Sequence, residues 1–104
     1  MTTALETIQT TINDHPIVLF MKGTPEEPQC GFSYQVVQCL RALGQDSFFA
    51  VNVLDDDEIR QGIKDFSDWP TIPQLYVNKT FIGGCDVVTE LYENGELESL
   101  LKTA

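Results

Sequence analysis

Hydrophobic positions along the chain alternate between helical and strand-like spacing. Leu5, Ile8 and Ile12 recur three to four residues apart, which predicts a helix capped by Thr2 or Thr3. His15-Pro16 ends it, because the residue before a proline is held out of helical geometry. Ile17–Met21 is a continuous apolar run and predicts a strand buried on both faces. Gly23 opens the loop Thr24-Pro-Glu-Glu-Pro-Gln29. Beyond Cys30, Val36, Val37, Leu40 and Leu43 mark one face of a second helix, with Gly44 suited to follow its end. Phe48–Val53 is rich in β-formers and predicts a second strand. Asp55-Asp-Asp57 offers caps and negative charge to a third helix carrying Ile59, Ile63 and Phe66. Trp69-Pro-Thr-Ile-Pro73 breaks that helix. Gln74–Val77 and Thr80–Ile82, joined by Asn78-Lys79, predict a hairpin. Gly83-Gly84 follows. Asp86 then reads as a cap for a helix bearing Val88, Leu91 and Tyr92, and Leu97, Leu100 and Leu101 predict a short last helix beyond Gly95.

The order is thus α, β, α, β, α, β, β, α, α. Two strands joined through a helix lie parallel by the right-handed crossover rule, and a hairpin adds an antiparallel pair. The expected architecture is α/β, a four-stranded mixed sheet flanked by helices in a thioredoxin-like arrangement. No repeat, low-complexity tract or linker divides the chain, so residues 1–104 read as one domain.

Charge narrows the function. Six Lys and Arg stand against sixteen Asp and Glu, a net −10. The cations Lys22, Arg41, Arg60, Lys64, Lys79 and Lys102 are scattered singly, which excludes a nucleic-acid binder and a basic membrane-surface helix. The Ile17–Met21 run is far too short to span a bilayer. The amino terminus lacks the basic and apolar regions of a secretory signal. Three cysteines, Cys30, Cys39 and Cys85, are too few for a disulfide-stapled secreted domain, and one His with no paired Cys or His spacing argues against structural zinc. A soluble, cytoplasmic protein is expected, a processed organellar protein being the alternative. The acids of Asp55–Glu58 and Glu90–Glu98 read as solvent-facing helix surfaces that favour partners with basic surfaces.

Cys30 is the candidate nucleophile. It stands at a strand–loop–helix junction, where unsatisfied backbone N–H groups and the helix dipole favour a thiolate. Gly31 leaves its flank open. Ser33 occupies the place where a dithiol reductase carries its resolving Cys, and Ser forms no disulfide. One thiolate remains, either for a mixed disulfide with a small thiol or for a soft metal. The bland reading is an inert helix-start cysteine.

Thr71-Ile72-Pro73 precedes a strand, so Pro73 is either a plain strand-start proline or preceded by a cis bond that turns the Ile72 N–H and C=O outward, free to pair with an extended peptide. Gly83-Gly84 permits close backbone approach, and the helix start after it offers N–H groups to a carboxylate. Asp86 is either that helix's cap or the partner of a ligand ammonium. Cys85 is either a second reactive thiol or buried filler, and Cys39 reads as structural.

Lys22, Cys30-Gly-Phe-Ser33, Trp69-Pro-Thr-Ile-Pro73 and Gly83-Gly-Cys-Asp86 together closely resemble the single-domain monothiol glutaredoxins, over essentially the whole chain. The resemblance implies a thioredoxin fold with Ile72-Pro73 cis. It also implies a [2Fe-2S] cluster bridging a homodimer, held by Cys30 of each subunit and the thiols of two glutathione molecules. It further implies cluster delivery to acceptor proteins, pairing with BolA-type proteins, and weak glutathione-dependent thiol–disulfide oxidoreductase activity. For glutathione, Lys22 and Arg60 match the family's cationic contacts, and Arg grips a carboxylate bidentately. Lys64 is a helper or a solvated lysine. The Ile72 backbone would pair with the cysteinyl unit. The N–H groups of Cys85 and Asp86 would hold the γ-glutamyl carboxylate, and the Asp86 side chain its ammonium.

Overall fold

The computed structural model describes residues 3–104. In chain order they form α1 (Ala4–Asp14), β1 (Ile17–Met21), α2 (Gly31–Ala42), β2 (Phe49–Asn52), a 3-10 turn (Val53–Asp55), α3 (Asp57–Ser67), β3 (Gln74–Val77), β4 (Thr80–Gly83), α4 (Cys85–Glu93) and α5 (Glu96–Lys102). The sheet order is β2-β1-β3-β4. β1 lies parallel to β2, and the β1–β3 and β3–β4 pairs are antiparallel. This is the thioredoxin-like mixed sheet that the element order predicts.

All five residues of β1 are buried because the sheet is covered on both faces. Alternate side chains of a strand point to opposite faces. Leu19 and Met21 therefore join Val36, Val37 and Leu40 of α2 with Val88, Leu97 and Leu101 of α4 and α5. Val18 and Phe20 join Ile8 and Ile12 of α1 with Ile59 and Ile63 of α3. Leu19 is fully buried, and truncating such a side chain to Ala costs roughly 2–5 kcal/mol.

Caps set the helix starts. Thr3 Oγ1 accepts the Glu6 N–H at 3.1 Å; Thr2, the alternative cap, lies outside the described residues. Asp56 Oδ1 accepts the N–H groups of Glu58 at 2.9 Å and Ile59 at 3.3 Å.

Four expectations need correction. Asp86 is not the cap of α4: Gly84 holds that position without a side-chain hydrogen bond, and Asp86 is the second helical residue, exposed in the first turn. Leu5 is 48% exposed, and Ala4 packs against the core in its place. Tyr92 points outward while Val88 and Leu91 face α2 and the sheet. The second strand is shorter than Phe48–Val53 at both ends. Its carboxyl end is set by Asn52, whose Oδ1 accepts the N–H groups of Gly23 at 2.9 Å and Leu54 at 3.0 Å and turns the chain into the 3-10 segment.

Strand register places three connections at one end of the sheet. Phe20 pairs with Gln74, and Leu75 pairs with Gly83. The segment leaving β1, the turn entering β3 and the segment leaving β4 therefore converge. They are the Lys22–Cys30 loop, the Trp69–Pro73 turn and the Gly84–Asp86 helix start.

Candidate functional site

The loop after β1 begins at Gly23, with φ +92°, where an added Cβ would stand 2.5 Å from the Glu27 carbonyl oxygen. Only glycine folds the chain that tightly. The loop closes where the Gln29 N–H donates to the Lys22 carbonyl at 2.9 Å. Cys30 then takes the N-cap position of α2 in extended geometry, and no side chain caps the helix in its place. Its thiol thus meets the free N–H groups of the first turn. Partial burial pushes the Cys30 pKa up. The backbone N–H groups of Ser33 and Phe32, the Lys22 ammonium and the Ser33 hydroxyl outweigh it, so Cys30 lies below the usual 9.0. Ser33 is fully buried and its hydroxyl accepts the Lys22 N–H at 3.1 Å. It ties the end of β1 to the start of α2, a role that its reading as an absent resolving cysteine does not reveal.

A groove of about 220 Å³ lies at the same end of the sheet, reached by Phe32 of the first turn of α2. One wall is the turn before β3, with Trp69, Thr71, Ile72 and Pro73; the other is the start of α4, with Cys85 and Asp86. The Ile72–Pro73 peptide bond is cis, as the resemblance implies. Among the described residues no hydrogen bond of the chain engages the Ile72 N–H or C=O outside the regular elements. Gly84 forms the floor, where a Cβ would stand 3.3 Å from the Pro73 carbonyl and 3.5 Å from Trp69 Nε1. Phe32, 63% exposed, and Trp69, 41% exposed, rim the groove. Both stand in the motifs, yet periodicity alone assigns neither a role.

A second, shallower depression of about 520 Å³ adjoins it and is lined by Cys30, Gln35, Cys85 and Thr89 among others. Cys85 behaves unlike Cys30. Burial pushes its thiol up; the Thr89 hydroxyl, 4.0 Å from Sγ, opposes this, while the charges of Asp86 and Cys30 add to it. Cys39 is buried between α2 and α4, and burial raises its thiol despite the Thr89 hydroxyl. All three thiols are free.

Of the residues singled out in the sequence, Cys30, Ile72, Cys85 and Asp86 meet at these two depressions, and Lys22 is close enough to act on the Cys30 charge. Arg60 stands half-buried on α3 and lines neither depression. Among the described residues neither Lys22 nor Arg60 forms an ion pair, whereas Arg41 and Lys102 do.

The arrangement offers one thiol held below its ordinary pKa, a free backbone edge, and unpaired N–H groups at the start of α4. Among the described residues no three His, Cys, Asp or Glu side chains converge as a metal site. A soft metal centre at Cys30 would draw its other ligands from outside the chain. The half-buried Cys30 thiol fits iron–sulfur ligation as one donor among several.

Comparison with known proteins agrees with this geometry. Residues 17–82 match the glutaredoxin family. The chain is 59% identical over 99 residues to "Monothiol glutaredoxin-5, mitochondrial" of Saccharomyces cerevisiae, covering 93% of this chain and 66% of that protein. The solution structure of reduced poplar apo GrxS14 is similar at a TM-score of 0.78 and 47% identity, over 93% of this chain and 88% of that one. A crystal structure of a buckwheat glutaredoxin–glutathione complex is similar at a TM-score of 0.84 and 26% identity, over 96% of this chain and 88% of that one. With one activated thiol at Cys30 and a serine where a second would stand, the chain belongs to the glutaredoxin family, among the monothiol glutaredoxins.

Proposed function

We propose that this chain binds glutathione in the groove and, as a homodimer, carries a [2Fe-2S] cluster between two copies. Cys30 of each copy and the thiol of each bound glutathione are its ligands, and the cluster is cargo for acceptor proteins. The observation that carries this reading is a single half-buried thiol at a helix N-cap, held below its ordinary pKa, with no cluster of three metal-ligating side chains among the described residues. The cluster supplies iron sites whose preferred ligands are thiolates, and one thiolate per chain requires a partner copy and an exogenous thiol.

The groove suits glutathione chemically. The Ile72 N–H and C=O pair with its cysteinyl unit as an added strand does. The N–H groups of Cys85 and Asp86 meet the γ-glutamyl carboxylate at an uncapped helix start. The exposed Asp86 carboxylate meets its ammonium, and Lys22 and Arg60 meet carboxylates. BolA-type proteins are the proposed second partners. A cytoplasmic setting is proposed with them.

The test is anaerobic reconstitution with iron, sulfide and glutathione. Wild-type protein becomes coloured and dimeric, and Cys30→Ala does neither. A colourless wild-type monomer overturns the proposal.

The open depression that Cys30 lines favours a second activity. The Cys30 thiolate attacks the glutathione sulfur of a glutathionylated protein; the protein thiolate leaves and takes a proton, and Cys30 keeps glutathione as a mixed disulfide. A second glutathione thiolate then attacks the bound glutathione sulfur, releasing glutathione disulfide and restoring the Cys30 thiolate. Turnover comparable to a dithiol glutaredoxin, without cluster binding, makes this the main activity.

A further inference from the structure

Among the described residues, the buried polar side chains are Ser33 and Gln74. A core gains nothing from a buried amide unless its hydrogen bonds are made. Ser33 ties the thiol loop, as described above. Gln74 opens β3 directly after Pro73, in a strand whose other residues, Leu75, Tyr76 and Val77, bury carbon.

The Gln74 amide is fully used. Nε2 donates to the Trp69 carbonyl at 3.2 Å and to the Thr71 carbonyl at 3.1 Å. Oε1 accepts the Tyr76 hydroxyl at 3.3 Å. Tyr76 is itself fixed among Phe20, Phe66 and Phe81, at centroid separations of 5.8, 6.2 and 5.3 Å. Its hydroxyl faces Ser67 at the end of α3, and burial pushes its pKa up to about 12, so it remains a donor.

Both carbonyls belong to residues that line the groove, and they flank the segment leading into Ile72. The Trp69 and Thr71 carbonyls are thus both tied to one side chain beneath the turn. Among the described residues the Ile72 N–H and C=O between Thr71 and Pro73 have no such partner. The Trp69 ring makes a tilted contact with Phe81 at 6.1 Å.

We propose that Gln74 is a positioning residue for ligand binding: from beneath the groove, its amide and the Tyr76 hydroxyl hold the Trp69–Pro73 turn in the shape that presents the Ile72 backbone to a glutathione-like thiol peptide. It acts on the turn and not on Cys30, to which no hydrogen bond connects it. This rests on the glutathione reading above.

The experiment uses Gln74→Met, which keeps length and bulk but removes both donors, and Tyr76→Phe, which keeps the ring but releases Oε1. Three quantities are read: reduced-glutathione affinity by calorimetry, Cys30 thiol pKa by alkylation against pH, and acrylamide quenching of Trp69, the sole tryptophan. Gln74→Met is expected to weaken glutathione binding about tenfold and raise quenching about twofold, with the Cys30 pKa unchanged; Tyr76→Phe is expected to weaken binding about threefold. Equal affinity and quenching in wild type and Gln74→Met overturn the proposal. So does a Cys30 pKa that moves with the affinity, which marks general loosening. Should Gln74→Met fail to fold, Tyr76→Phe with unchanged affinity and quenching overturns it alone. Wild-type protein that binds no glutathione sinks the functional reading instead, and Trp69 quenching still decides whether Gln74 holds the turn.

Discussion

Cys30 and Cys85 are two half-buried cysteines at two helix starts, neither helix having a side-chain cap. Their thiols nevertheless shift in opposite directions, Cys30 down and Cys85 up. A helix start by itself is therefore not what activates a thiol here. Cys30 stands at the N-cap, where the N–H groups of Phe32 and Ser33 reach its sulfur, with Lys22 adding a positive charge. Cys85 is the first helical residue, with the Asp86 carboxylate beside it and the Cys30 charge across the depression. Burial, which dominates at Cys85 but is outweighed at Cys30, together with one residue of offset and the sign of one neighbour, separates the thiol that is lowered from the one that is raised.

Removing the activated member has the largest effect. Cys30→Ala is expected to abolish rapid thiol labelling at neutral pH and cluster uptake together, leaving only slow labelling at Cys85. Rapid labelling that persists would move the nucleophile to Cys85 and dissolve the contrast.

Lys22→Ala removes the one cation acting on Cys30. It is expected to raise the Cys30 pKa and slow its alkylation about fivefold at neutral pH, with Cys85 unaffected. Equal slowing at both thiols would mean a general change of fold or field.

Ser33→Ala removes the weakest of the four influences that lower the Cys30 pKa. It also leaves the part-buried Lys22 N–H without its acceptor. Alkylation of Cys30 is expected to slow about threefold, and stability measured by urea unfolding to fall by about 1–3 kcal/mol. A slower thiol without lost stability would show that Ser33 acts on the sulfur alone.

Asp86→Asn has the smallest expected effect and acts on the other member. Losing the carboxylate lowers the Cys85 pKa and speeds its alkylation about twofold, leaving Cys30 unchanged. If glutathione binding also weakens, Asp86 meets the ligand's ammonium as proposed.

The contrast also separates what the sequence states from what it withholds. Element order, the two-sided burial of Ile17–Met21 and the importance of Cys30 follow from periodicity, proline positions and a helix-start cysteine, all local signals. Asp86 misleads because Ser, Thr, Asp and Asn beside a helix start look alike as caps; only the backbone shows that Gly84 takes the position. Leu5 and Tyr92 mislead because a helical stripe wider than its contact surface leaves apolar residues outside. Ser33 and Gln74 are invisible for a different reason. Their partners are backbone carbonyls and N–H groups, which carry no sequence signature. The one trace is a glutamine opening a strand that is otherwise wholly apolar and buried.

The most direct measurement is cysteine-resolved alkylation across pH, with each thiol quantified by mass spectrometry of its own peptide. The account predicts that Cys30 reaches its half-maximal rate below pH 9.0 and Cys85 above it, with Cys30 the faster throughout the neutral range. Coincident profiles, or Cys85 titrating below Cys30, would contradict it.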